Sequence, residues 1–143
     1  MTRTLYSTAA ALVLMTGSLT AATALADNDG RRYAVTVTNL TRGQVITPPV
    51  VISHDQGFAL FTVGTPASSE LAALAEDGMT GPLLGLLSSQ STVYESTAAG
   101  GPVMPGQSVT VEISTSGRFN AISVAGMLAS TNDAFFAING VNA

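Results

Sequence analysis

Two well-separated segments of this chain alternate apolar and polar residues with a period of two, the signature of strands with one buried face. Along residues 33–40, Tyr33, Val35 and Val37 share a face while Thr36 and Thr38 take the other. Along 108–113, Val109, Val111 and Ile113 point one way and Glu112 the other. A half-buried strand needs a second layer against its apolar face, so the chain must stack a sheet on another sheet or on helices. It contains no cysteine, so no disulfide supplements that packing, and the apolar core alone must stabilise the fold. A length of 143 residues suits one compact domain.

Residues 1–26 are set apart by composition. Arg3 leads into the apolar run Ala9-Ala10-Ala11-Leu12-Val13-Leu14-Met15, and the segment closes on Ala24-Leu25-Ala26. A basic start, a short apolar core and a small-x-small end form a cleavable secretory signal. Thr16, Gly17, Ser18 and Thr20 interrupt the core, which falls short of the roughly 20 apolar residues of a membrane span. No cysteine follows, so lipid attachment at a new N-terminus is excluded. The product is expected to be secreted or periplasmic, without membrane insertion after signal cleavage. Residues 27–32 read as a flexible lead and 33–143 as the folded domain. Beyond the signal, Arg31, Arg32, Arg42 and Arg118 face nine acidic residues, and there is no lysine. Such a surface disfavours nucleic acid and anionic membranes, which are bound through basic side chains, and is compatible with divalent cations.

Past the first strand, Thr47-Pro48-Pro49 forces an extended entry into the apolar Val50-Val51-Ile52-Ser53, which predicts a second strand ended by His54-Asp55-Gln56-Gly57. Ser68-Ser69-Glu70 ahead of Leu71, Leu74 and Ala75 is helix-start chemistry, and Gly78 closes that helix. Gly81-Pro82 opens a second short helix carrying Leu83, Leu84, Leu86 and Leu87. Strands resume at 92–96 and 108–113, then, after a hairpin turn at Gly117, at 120–128 and 134–138. About six or seven short strands with two small helices after the second predict a mainly β chain, an antiparallel β-sandwich with two short helices inserted between strands.

Several residues carry chemistry. Ser130-Thr131-Asn132-Asp133 holds one carboxylate between two apolar strands, and a half-buried Asp there needs a partner, for which a cation is a candidate. The plainer alternative is a turn residue. His54 beside Asp55 invites a hydrolase in which Ser53 or a distant serine is the nucleophile. Neighbours on a strand point to opposite faces, however, and no Gly-x-Ser-x-Gly elbow is present. The alternative is a turn at Asp55 with His54 packed at a sandwich edge. No pair of acids flanks a cleft as in glycosidases, and one His without Cys cannot close a zinc site. Phe58, Phe61, Phe119, Phe135 and Phe136 suit core packing better than a binding platform. The leucines of 83–87 are expected to pack a helix over the open end of the sandwich.

Four segments in one order carry a family resemblance: 33–41 with Pro48-Pro49, then Ser53-His54-Asp55-Gln56-Gly57-Phe58, then 71–78, then 127–136 with Thr131-Asn132-Asp133. Together they resemble the spondin N-terminal domain in its short bacterial form, over residues 33 to about 141. The resemblance implies a C2-like β-sandwich with a calcium site at one end, used in animals as an extracellular adhesion and matrix-binding module. Glu112 matches the family's strand carboxylate and Asp133 its motif aspartate, so the implied metal ligands are Glu112 and Asp133 and the implied cofactor is one Ca2+. The chain departs from the family in three respects. The spacing between Glu112 and Asp133 is about two residues longer, placed at the 114–117 hairpin; Ala134 stands where animal members have Trp; and a further downstream Asp is missing. Calcium takes six to eight oxygens, which the Asn132 amide, carbonyls and water would have to complete.

The expectation is therefore an exported, non-enzymatic, spondin-like and calcium-binding module that contacts an extracellular or cell-surface protein or glycan. The alternatives are a secreted hydrolase using His54 and Asp55, and a metal-free structural sandwich that binds another protein.

Overall fold

A computed structural model describes residues 30–143. Residues 1–29, which hold the expected signal and the start of the expected lead, lie outside the described residues. Six strands and two helices follow in the order β1 (Arg31–Thr38), β2 (Val50–His54), α1 (Ser69–Asp77), α2 (Thr80–Ser88), β3 (Val93–Ala98), β4 (Ser108–Thr115), β5 (Ala121–Met127) and β6 (Phe135–Asn142). The fold is mainly β and antiparallel. β1 and β4 form a two-stranded sheet, and a four-stranded sheet runs β3-β2-β5-β6.

β2 shows why the layers stack as they do. All five of its residues are buried, so both faces of the larger sheet are covered at its centre. Val50 and Ile52 point to one side and join Leu71, Leu74, Leu83, Leu87 and Ala125 under the helices. Val51 points to the other and joins Val111, Ile113 and Val124 beneath the small sheet. A short strand buried on both faces is what a doubly covered sheet requires. The molecule is thus a sandwich of two sheets with a helical layer on the outer face of the larger one. α1 is framed by local chemistry: Ser68 Oγ accepts the Leu71 N–H at 3.2 Å, and Gly78 closes the helix in the left-handed region at φ 67°. α2 carries Pro82 in its first turn, where no helical N–H is needed.

The structure corrects three expectations. β1 begins at Arg31, so residues 31 and 32 belong to the strand and not to a flexible lead. The helices cover a face of the sheet and not an open end, because Leu71, Leu74, Leu83 and Leu87 meet Val50 and Ile52 from the side. The turn at Gly117, with φ 54°, joins β4 to β5, which lie in different sheets. The turn itself is tight, with Ser116 bridged to Phe119, but the strands it joins belong to different layers. Of the 114–117 stretch expected to hold the extra length, Ser114 and Thr115 belong to β4, opposite Arg32 and Arg31.

Candidate functional site

His54 ends β2 and is only 1% exposed. Its Nδ1 lies 2.7 Å from the Asp55 carbonyl and its Nε2 2.8 Å from Ser123 Oγ on β5. A carbonyl only accepts, so Nδ1 carries the proton and Nε2 accepts from the Ser123 hydroxyl. Ser123 Oγ in turn accepts the Gly140 N–H at 2.9 Å. The imidazole also stacks on Phe58, with ring centres 4.8 Å apart. The hydrolase expectation paired His54 with Asp55, but the Asp55 carboxylate turns away. Its Oδ1 accepts the Gly57 N–H and its Oδ2 faces Arg118 Nε at 3.5 Å. The distant serine near His54 is Ser123, which is wholly buried, and Ser53 bonds the backbone of Glu95. The buried pair forms an internal cross-brace between β2, β5 and β6. The expectation that His54 packs at an edge is corrected as well, since β2 lies between β3 and β5.

The two carboxylates assigned to a metal stand on different sheets. Glu112 projects from the outer face of the small sheet and meets Arg32 NH1 at 3.3 Å, with both side chains mostly exposed. Asp133 lies in the exposed turn between β5 and β6, with φ 69°, a left-handed conformation that Asp tolerates in turns. That turn is at the Ser108 end of β4, as Ile46 bridges both Val103 and Leu128, and Asn39 bonds Val103 and Gln107. Glu112 is four residues further along, about 13 Å at the usual strand rise. Among the described residues no three His, Cys, Asp or Glu side chains cluster around one point. A guanidinium beside Glu112 also repels a cation. As placed, the donor set does not fit a calcium cage.

A polar side chain that sequence reasoning passed over anchors this same end. Asn39 is fully buried. Its amide donates to the carbonyls of Gln44 and Val103 at 2.7 and 2.8 Å, and its Oδ1 accepts from the N–H and Oγ1 of Thr41. Every donor and acceptor of the group is used. Asn at a strand end before a polar turn was the available signal, but it did not reveal the burial.

The largest unfinished surface runs along β1. The small sheet is two strands wide and the sheet beneath it four, so part of β5 and β6 has no upper layer. An apolar cleft of about 330 Å³ opens there, lined by Tyr33, Val35, Ile122, Val124, Ile138 and Val141. A second apolar cleft, of about 470 Å³, is lined by Val37, Leu40, Ile46, Leu128 and Phe136. Leu40, Ile138 and Val141 are 87%, 49% and 55% exposed. Side chains make individual hydrogen bonds at other strands. Glu95 Oε2 on β3 accepts the Ser114 N–H of β4 at 2.7 Å, and the Asn139 amide on β6 bonds Leu60 N and Phe61 O.

No family model matches the chain, and the search of curated proteins gives no match either. Among the described residues no helix is long and apolar enough to cross a membrane.

Proposed function

We propose that this chain is an exported, non-enzymatic interaction module of spondin-like type, which holds a cell-surface or extracellular partner on the half-open side of its sandwich. The observation that carries the reading is the apolar cleft beside β1, with Ile138 and Val141 half exposed in its lining. Contiguous apolar surface of this kind on an otherwise polar, acidic chain is characteristic of binding sites. Export rests on the signal-like residues 1–26, and the family reading on the ordered segments from Tyr33 to Phe136. The buried His54 and Ser123 are accounted for as a brace, so the reading leaves no group aimed at a substrate. Calcium has no part in the reading.

The test is retention of labelled protein, residues 27–143, on a panel of immobilised extracellular-matrix proteins and glycans. The Ile138→Glu/Val141→Glu double variant is the comparison. Both positions are exposed, so the variant should melt with the parent protein and lose retention. Equal retention of parent and variant would move the binding surface elsewhere.

A further inference from the structure

We propose that Asn139-Gly140 is a self-modifying site, at which deamidation of Asn139 unfastens the 57–62 loop from β6 in one irreversible step. This goes beyond the binding reading and does not depend on it. Asn-Gly occurs once in the chain. An asparagine holds its side-chain carbonyl carbon within reach of the next backbone nitrogen, and a following glycine, lacking Cβ, leaves that nitrogen open to approach. The local fold singles this pair out. Ile122 pairs with Val141 and Val124 with Ile138, so Ser123 alone faces both Asn139 and Gly140. The result is a β-bulge with Gly140 at φ 81°, and bulges re-aim the side chains they carry. Here the Asn139 side chain reaches the 57–62 loop. The bulge lies near the end of an edge strand whose residues are exposed from Ile138 onward, where local opening costs least.

Two hydrogen bonds make Asn139 the fastening. Its Oδ1 accepts the Leu60 N–H and its Nδ2 donates to the Phe61 carbonyl, each at 2.9 Å. The loop they hold carries Phe58, Leu60 and Phe61, which pack against the core beneath the helices, with Phe61 edge-on to Phe135 at 5.8 Å between ring centres. In the closed fold the reaction is held back, because the side-chain amide is clamped and the Gly140 N–H is bonded to Ser123 Oγ at 2.9 Å. When the strand end opens, the Gly140 nitrogen attacks Asn139 Cγ and a new C–N bond closes a five-membered succinimide ring. The bond from Cγ to Nδ2 breaks, and ammonia leaves with the Gly140 amide proton. Water then adds to either ring carbonyl and opens the ring, giving aspartate or isoaspartate. One water is consumed and one ammonia released, with no oxidant or reductant. Both products lack the donor to the Phe61 carbonyl, and aspartate sets a carboxylate oxygen against it. Isoaspartate also adds a backbone carbon between Ile138 and Val141, which both line the apolar cleft beside β1.

The test is to age residues 27–143 in warm, mildly alkaline buffer, folded or in urea, with unaged protein as the baseline. Trypsin releases residues 119–143 whole, since no lysine or arginine follows Arg118, and mass spectrometry then locates each asparagine converted. Isoaspartate is read by labelling with an isoaspartyl methyltransferase. In the folded protein conversion should come first at Asn139, ahead of Asn120, Asn132 and Asn142, and more slowly than in urea. Chymotryptic cleavage after Phe58 and Phe61 should quicken with age by at least about fivefold, the effect of one lost hydrogen bond on local opening. Asn139→Asp should show the faster cleavage without ageing. Asn139→Gln, whose longer side chain must close a larger ring, should show no change with age. If the folded protein stays unconverted at Asn139 while the chain in urea converts fully, the proposal is overturned. It is overturned equally if Asn139 converts and cleavage after Phe58 and Phe61 does not change, because the loop is then fastened by other groups.

Discussion

Ser123 joins three strands through one hydroxyl: it sits on β5, donates to His54 on β2 and accepts from the Gly140 N–H on β6. His54 and Ser123 are buried while Gly140 is exposed, so removing the oxygen leaves one buried imidazole nitrogen unmatched. Such an orphan costs about 1–3 kcal/mol. Ser123→Ala should therefore lower the unfolding free energy by about 1–3 kcal/mol, measured by urea melts, with little change in the slope. A nucleophile would give the opposite pattern, a near-neutral melt with loss of labelling by a serine-directed fluorophosphonate, and no labelling is expected of the parent protein. The pairing was half legible in the sequence. His54 stood out as the single histidine, and a distant serine was entertained, but a β-sheet partner 69 positions away is set by register and cannot be read from local pattern. Asn39 was hidden for the same reason, since its carbonyl partners are contributed by the 44 and 103 segments.

At the scale of elements, α1 illustrates what local chemistry decides. Its start is fixed by Ser68, and its end by Gly78, where an added Cβ would lie 2.7 Å from the Thr47 side chain. Ser68→Ala should cost about 1 kcal/mol as a lost cap. Gly78→Ala should cost more, upwards of about 1 kcal/mol, because strain at positive φ adds to the contact with Thr47. Thermal melts of the two variants would rank them. Glu70, in the first turn, is held below its ordinary carboxylate value of 4.5, first by its own backbone N–H, which outweighs an opposing effect of desolvation, and then by the Ser68 and Ser69 hydroxyls. A carboxyl lowered by folding stabilises above its unfolded value and loses that contribution as pH falls through the lowered folded value. Glu70→Gln should thus melt below the parent at neutral pH and converge with it in acid. These boundaries were legible because Ser, Gly and Pro act within one turn. The layer onto which the helices fold was not, since the choice between an end and a face depends on how far β1 and β4 extend over the other side. The turn at Gly117 was misread likewise: a turn residue announces a reversal but not which sheet the next strand enters.

At the scale of the whole molecule, the arrangement of layers decides which surfaces remain for function and whether a metal is needed to hold them. The larger sheet is covered by helices on one face and only partly by β1 and β4 on the other, and its own core residues Val50, Val51 and Ile52 are completely buried. Glu112 is already matched by Arg32, an exposed pair worth at most about 1 kcal/mol. A calcium ion held by Glu112 and Asp133 would tie the small sheet to the β5–β6 turn and bind only the folded state. At a hundred times its dissociation constant it would add about 2.7 kcal/mol, a rise in melting temperature of about 10 °C for a domain of this size. The expected result for residues 27–143 after chelation is different: millimolar calcium should raise the melt no more than sodium chloride of equal ionic strength, by screening repulsion on an acidic chain. Glu112→Ala and Asp133→Ala should respond as the parent does. A calcium-specific rise lost in both variants would instead mean that the β5–β6 turn and β4 come together in solution, restoring the ligand pair that the family resemblance implies.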